Sequence, residues 1–279
     1  MTHIGQKAFL RHALETLRQN LLRRLWKRFI IEVMRQNADY EMSVYGLSRC
    51  RRDSESTYKR EEVTGNMEYT SNYERQCEEW RKTFLTMDQE DICRRLPEIH
   101  LTEEKLELWH FGRLFTVDRK DGRICVSSDN KPVDAMPKMN IYTLFWHAAQ
   151  NGVHTGKWVP YQELKGASPF EAAFKKGILQ PIALTFSGKE ELLERAVKSL
   201  RGERVSASGF LLKAFECIPV RLNFWDADEE FPAQANLLFD SSATDFNHEE
   251  SIATIATEGM YQLADAAGLQ LTGSPFIRF

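Results

Sequence analysis

Apolar residues recur along this chain with two different periods. Between residues 6 and 36, Phe9, Leu10, Ala13, Leu14, Leu17, Leu21, Leu25, Phe29 and Val33 return every three or four positions, and Arg and Lys fill much of the other face. That spacing predicts a basic amphipathic helix. The same period predicts helices at 71–86 (Tyr73, Cys77, Trp80, Phe84, Leu85), 88–95, 140–151, 169–179, 190–200 and 249–268. Ser71 or Asn72 is placed to cap the first of these, and Asp88 the second. Pro97 stops the second helix, and Gly152 suits the C-terminal end of the 140–151 helix. Shorter alternating or apolar runs predict strands at 106–111 and 114–117 around Gly112-Arg113, and at 124–127 after Asp121-Gly122. Further strands are expected at 210–215, 220–225 and 235–239, with a loop, a short extended piece and a turn over 155–164. The expected class is α+β: a mostly antiparallel sheet packed with several helices and preceded by an N-terminal basic helical arm.

Composition divides the chain. Residues 37–66 are polar and poor in aliphatic side chains, which predicts a linker that cannot offset its ordering entropy by burial. Residues 1–66 carry a net charge of +5 and the remainder −8, so a basic arm precedes an acidic body. The expected organisation is an arm and linker at 1–66, one α+β domain at 67–268 and a tail at 269–279. Met67 opens the acidic part and is a candidate start, with 1–66 then an extension. The overall charge of −3 gives no reason to expect nucleic acid or an anionic membrane as partner. No apolar run approaches the roughly 18 residues of a bilayer span. Arg11, Arg18, Arg23 and Arg24 interrupt any secretory signal. The five cysteines (Cys50, Cys77, Cys93, Cys125, Cys217) are scattered and form no C-x-x-C pair, so reduced thiols in a cytoplasmic protein are expected.

Candidate chemistry concentrates between Ile218 and Glu250. Asp226, Asp228, Glu229 and Glu230 put four carboxylates within five residues, a repulsion that water or a cation relieves. Oxygen donors at that density suit a divalent cation, although the spacing is not that of an EF-hand. The bland alternative is a solvated hairpin tip that discourages edge pairing. On a strand, Asn236, Leu238 and Asp240 share one face opposite Leu237 and Phe239, which makes Asn236 and Asp240 candidate cleft residues. The alternative is that Asp240 caps a turn with Ser241 and Ser242. His248 is a candidate metal ligand beside Asp240 and Asp245, against a plain place at a helix start capped by Asn247 or Asp245. Trp225, Lys157 and Trp158 complete the candidate cleft. His147 and His154 read as structural histidines. No nucleophile elbow, zinc motif, P-loop or dinucleotide fingerprint is present.

The blocks Thr155-Gly-Lys-Trp-Val-Pro-Tyr-Gln-Glu-Leu164, Pro169-Phe170, Phe224-Trp-Asp-Ala-Asp-Glu-Glu-Phe-Pro232, Ala235-Asn-Leu-Leu-Phe-Asp240 and Asp245 through Ala253 occur in that order. Together they resemble an uncharacterised bacterial and archaeal domain-of-unknown-function family over about residues 72–266. The resemblance implies little chemistry. Some members look like fusions to an iron–sulfur domain associated with corrinoid proteins, and this chain lacks that cysteine cluster. A link to anaerobic corrinoid or redox metabolism is implied by family association alone. The expected role is binding or accessory. The alternatives are a metal-dependent enzyme using Asp226–Glu230 with Asp240, and an interaction module recruiting a protein partner through the 6–36 helix.

Overall fold

The β-hairpin at the front of the domain forms where apolar and polar residues alternate. In β2 (Lys105–His110) and β3 (Arg113–Asp118), Leu106, Leu108, Phe115 and Val117 are buried, while Lys105, Glu107, Thr116 and Asp118 take the opposite face. The short strands β1 (His100–Leu101) and β4 (Ile124–Val126) flank this hairpin, giving an antiparallel sheet in the order β1-β2-β3-β4. The computed structural model describes residues 72–128 and 133–273. The basic helix expected at 6–36 and the linker at 37–66 lie outside the described residues.

Two helices close over this sheet, α1 (Asn72–Leu85) and α3 (Ala135–His147), with the short α2 (Gln89–Arg95) between them in sequence. Phe84 of α1 meets Tyr142 and Phe145 of α3 at ring-centroid distances of 6.1 and 5.7 Å. Asp88 caps α2 as expected, accepting from the backbone of Glu90 and Asp91.

The second sheet is also antiparallel. It runs β5 (Trp158–Pro160), β9 (Gln234–Asp240), β8 (Ile218–Trp225), β7 (Gly209–Phe215) and β6 (Glu203–Arg204). Phe210, Leu212, Val220, Leu222, Leu237 and Phe239 supply its buried face. Around it lie α4 (Glu171–Phe174), α5 (Gln180–Phe186), α6 (Glu190–Ser199), α7 (Ala243–Phe246) and α8 (Glu249–Ala266). The last helix buries Ile252, Ile255, Ala256, Met260, Leu263 and Ala264. The fold is therefore α+β. Among the described residues, no helix is long and apolar enough to cross a membrane.

Four features differ from the periodic pattern. Helix α3 begins at Ala135 rather than 140, because Pro137 sits in its first turn, where a backbone N–H has no helical acceptor to lose. It ends at His147, so Gly152 is not its cap. The segment expected as one helix over 169–179 is instead a 3-10 turn, the short α4 and a π turn at Lys175–Leu179, and it continues into α5 past Pro181. The wider π turn absorbs the hydrogen bond that Pro181 cannot donate. The β2–β3 turn is Phe111-Gly112, one residue earlier than expected.

That turn joins the two sheets. Phe111 N donates to Lys213 O and Ala214 O, both at 3.2 Å, beside a register shift in β7. Phe111 has φ of 44° and Gly112 of 73°. A Cβ on Gly112 would lie 2.4 Å from the Leu200 carbonyl oxygen, so only glycine allows this approach. On the other side, the Phe111 ring rests against Gly259 of α8, where a Cβ would come 2.7 Å from Cζ.

Candidate functional site

The acidic turn lies in the β8–β9 connection, just beyond the pair Trp225↔Gln234. Its carboxylates serve the local backbone. Asp226 Oδ1 accepts from Gly188 N and Ala227 N, each at 2.7 Å. Asp228 Oδ1 accepts from Glu230 N at 2.9 Å and Phe231 N at 2.7 Å, and these bonds hold its carboxyl below the usual range. Glu229 and Glu230 are exposed, as are Trp225 and Phe231.

Asp240 closes the opposite end of β9, six residues beyond Gln234. At about 3.4 Å per residue the two ends stand roughly 20 Å apart, so Asp240 does not join the acidic turn. It is 3% exposed. Its Oδ1 accepts from Thr155 N, Thr155 Oγ1, Ser242 N and Ser242 Oγ, and its Oδ2 from Gly156 N. Burial opposes its ionisation, but the bonds from Ser242 and Thr155 outweigh that and hold the carboxyl well below the usual carboxylate range. Asp240 thus ties the 155–156 loop to the end of β9, and its lone pairs are spent on that task.

Trp158 pairs with Asp240 across β5 and β9, and Lys157 O accepts from Ser241 N. Lys157 is exposed, Trp158 and Asn236 half-buried. His248 occupies the first position before α8, where its ring nitrogens lie 3.2 Å from Glu249 and 3.5 Å from Glu250. Its ring stands 5.4 Å from that of His147. The proposed ligand set Asp226, Asp228, Asp240 and His248 is therefore not brought together. Among the described residues, no group of three or more His, Cys, Asp or Glu side chains is placed to hold a metal ion.

A cleft that the sequence did not reveal lies between α1, α3 and strands β2–β4. Its volume is ≈ 550 Å³. Glu74, Cys77, Glu78 and Arg81 reach it from α1, at the spacing of one helical face. Lys138 and Tyr142 reach it from α3, one turn apart. The sheet supplies Lys105, Thr116, Asp118 and Cys125, with Asp121 and Arg123 from the turn before β4. Most of this charge is internally matched. Arg81 holds both Glu78 oxygens at 2.7 Å and also donates to the Asp121 carbonyl. Arg123 pairs with Asp121 at 2.6 Å, and Lys138 with Glu74 at 3.2 Å. Tyr142 donates to Gly122 O at 2.6 Å, and burial raises its phenol. Burial pushes the Cys77 thiol up to about 12, and the thiol donates to Ala135 O at 3.4 Å. Two donors stand apart. Among the described residues Lys105 has no ion pair, and the hydroxyl of Thr116, a largely buried residue, has no hydrogen bond within the protein and is open to the cleft.

A separate polar group sits at the sheet junction. His110 is fully buried and stacks on Phe215 at 4.1 Å. Its Nδ1 lies 2.5 Å from Ala214 O and its Nε2 2.8 Å from Glu258 Oε2. A carbonyl oxygen only accepts, so Nδ1 carries a proton, and the contact to Glu258 requires a second proton on either partner. Asn140 Nδ2 donates to the same Glu258 oxygen at 2.7 Å. The group links the hairpin tip, α3 and α8. Its closed position makes it a structural tie, with no surface at which a substrate could meet it. No short motif marks it, since its members are 30 and 118 residues apart in sequence.

A family model described as a domain of unknown function (DUF3786) matches residues 88–261. The chain belongs to that family. The matched span contains the sheet wall and α3 wall of the cleft and the whole His110–Asn140–Glu258 group, whereas α1 precedes it. No curated protein and no solved structure matches the chain.

Proposed function

We propose that this member of the DUF3786 family is a small-molecule binding protein whose ligand sits in the cleft between α1, α3 and β2–β4. The observation that carries this reading is the pairing of a ≈ 550 Å³ cavity with two uncommitted donors on its sheet wall, Lys105 and Thr116. Ligand pockets span about 300–1,000 Å³ and fix orientation with a few polar groups. Binding is favoured over catalysis because the reactive side chains nearby are occupied: Tyr142 is bonded to a carbonyl, and the Cys77 thiol stays protonated at neutral pH. Cys77, Cys93, Cys125 and Cys217 are free thiols, in keeping with a cytoplasmic location. The acidic turn supports a metal-dependent enzyme less well, because Asp226 and Asp228 are engaged by backbone and Asp240 is distant.

Thermal unfolding of the full chain against a library of small polar metabolites tests the reading. A ligand at roughly 100 times its Kd stabilises the native state by about 2.7 kcal/mol. The expected result is that at least one class raises the melting temperature, and that Lys105→Ala with Thr116→Val abolishes the rise. A shift that survives both substitutions, or a library with no effect, overturns it.

A further inference from the structure

Register places four of the cleft residues on one face of the sheet. Lys105 pairs with Asp118 across β2 and β3, and Thr116 pairs with Cys125 across β3 and β4. Lys105 is the diagonal neighbour of Thr116, a separation of about 7–8 Å that a lysine side chain spans. Lys105 and Asp118 face each other without forming an ion pair. The carboxylate of Asp118 uses Oδ1 for Lys120 N and Asp121 N, at 2.8 and 3.0 Å, and its Oδ2 has no partner among the described residues. This leaves one cation, one unpartnered hydroxyl and one carboxylate oxygen side by side on the cavity wall.

Resting on the reading that this cleft is a ligand site, we infer that it selects a small zwitterion of the amino-acid class, with its carboxylate at Lys105 and Thr116 and its ammonium group at Asp118. The surrounding charge argues for this class over a phosphate. Glu74, Glu78, Asp118 and Asp121 balance Arg81, Lys105, Arg123 and Lys138 on the cavity wall, so a dianion would meet four carboxylates with only one spare cation. A zwitterion adds no net charge, and each of its ends meets an opposite partner. The hydroxyl of Thr116, which has no partner among the described residues, can donate to a ligand carboxylate placed beside the lysine.

Calorimetric titration of the full chain decides the matter, using a panel of free L-amino acids, the carboxamide and the deaminated acid of each, and inorganic phosphate. The expected result is binding of one or more amino acids, with both single-function analogues at least tenfold weaker. Lys105→Met is expected to reduce affinity at least tenfold, Thr116→Val less, and Asp118→Asn to remove the preference over the deaminated acid. Circular dichroism of each variant confirms that it is folded. Phosphate or a deaminated acid binding as tightly as the amino acid, with Lys105→Met still abolishing it, overturns the zwitterion while leaving the cleft as the site. Amino-acid binding indifferent to Lys105→Met and Asp118→Asn overturns the placement and the cleft reading together. No binding by any panel member overturns the zwitterion, and the library screen then judges the cleft independently.

Discussion

Replacing His110 by leucine is the sharpest probe of the junction. The substitution removes the imidazole that faces Glu258 Oε2 at 2.8 Å, while keeping an apolar side chain against Phe215. Glu258 is 3% exposed, so its carboxyl loses a partner without gaining water. Asn140 remains at 2.7 Å, but one amide does not replace the imidazole contact. Leaving a buried hydrogen-bonding group without its partner costs about 1–3 kcal/mol. Against a total stability of about 5–15 kcal/mol for a domain, that is a large fraction. Urea unfolding of the full chain, followed by tryptophan fluorescence, should show a lower midpoint with an unchanged slope. Replacing both partners, His110→Leu with Glu258→Met, should recover part of the loss, because it removes the buried carboxyl stranded by the single substitution, although Asn140 Nδ2 then loses its acceptor. A cost below about 1 kcal/mol for His110→Leu alone, or a double substitution worse than the sum of the singles, would refute the account of this group as a mutually dependent tie.

Two further outcomes follow from particular contacts. Gly259→Ala places a methyl 2.7 Å from the ring of Phe111 and should cost about 1–3 kcal/mol by the same unfolding assay, with part of the loss returned by Phe111→Leu. Asp240→Asn should destabilise the chain most near neutral pH. The folded carboxyl titrates below its unfolded value, so its contribution is present above about pH 3.9 and fades as pH falls through the folded pKa. The stability gap between native chain and variant should therefore narrow on acidification, and a gap that widened would contradict the hydrogen-bond account of Asp240.

Much of the architecture was legible because it depends on local periodicity. The spacing of Ile252, Ile255, Met260 and Leu263 placed α8 to within a residue or two, and the runs at 210–215, 220–225 and 235–239 lie inside β7, β8 and β9. The alternation argument also separated Asn236 and Leu238, which are half-buried, from Leu237 and Phe239, which are buried. Two of the places where period alone misled lie beside prolines. Pro137 sits harmlessly in the first turn of α3, and a π turn carries the chain past Pro181. Strands β1 and β6, two residues each, leave no pattern to find.

The sites divide along the same line. Sequence sufficed to mark Asp226–Glu230 as a turn and Asp240 as a polar strand end, because those features arise from neighbours in the chain. It could not say that the turn and Asp240 stand at opposite ends of one strand, or that Asp240 is saturated by a loop 85 residues away. The cleft was hidden for a related reason. Glu74–Arg81, Lys105–Cys125 and Lys138–Tyr142 each look like an ordinary amphipathic surface, and only packing turns three outward faces into one lined cavity. His110 and Glu258 are 148 positions apart, and their contact exists because a glycine at 112 lets the hairpin tip press into β7 and α8. Local propensity determined which elements form. Long-range packing, which carries no signature in the order of residues, decided which of their side chains meet.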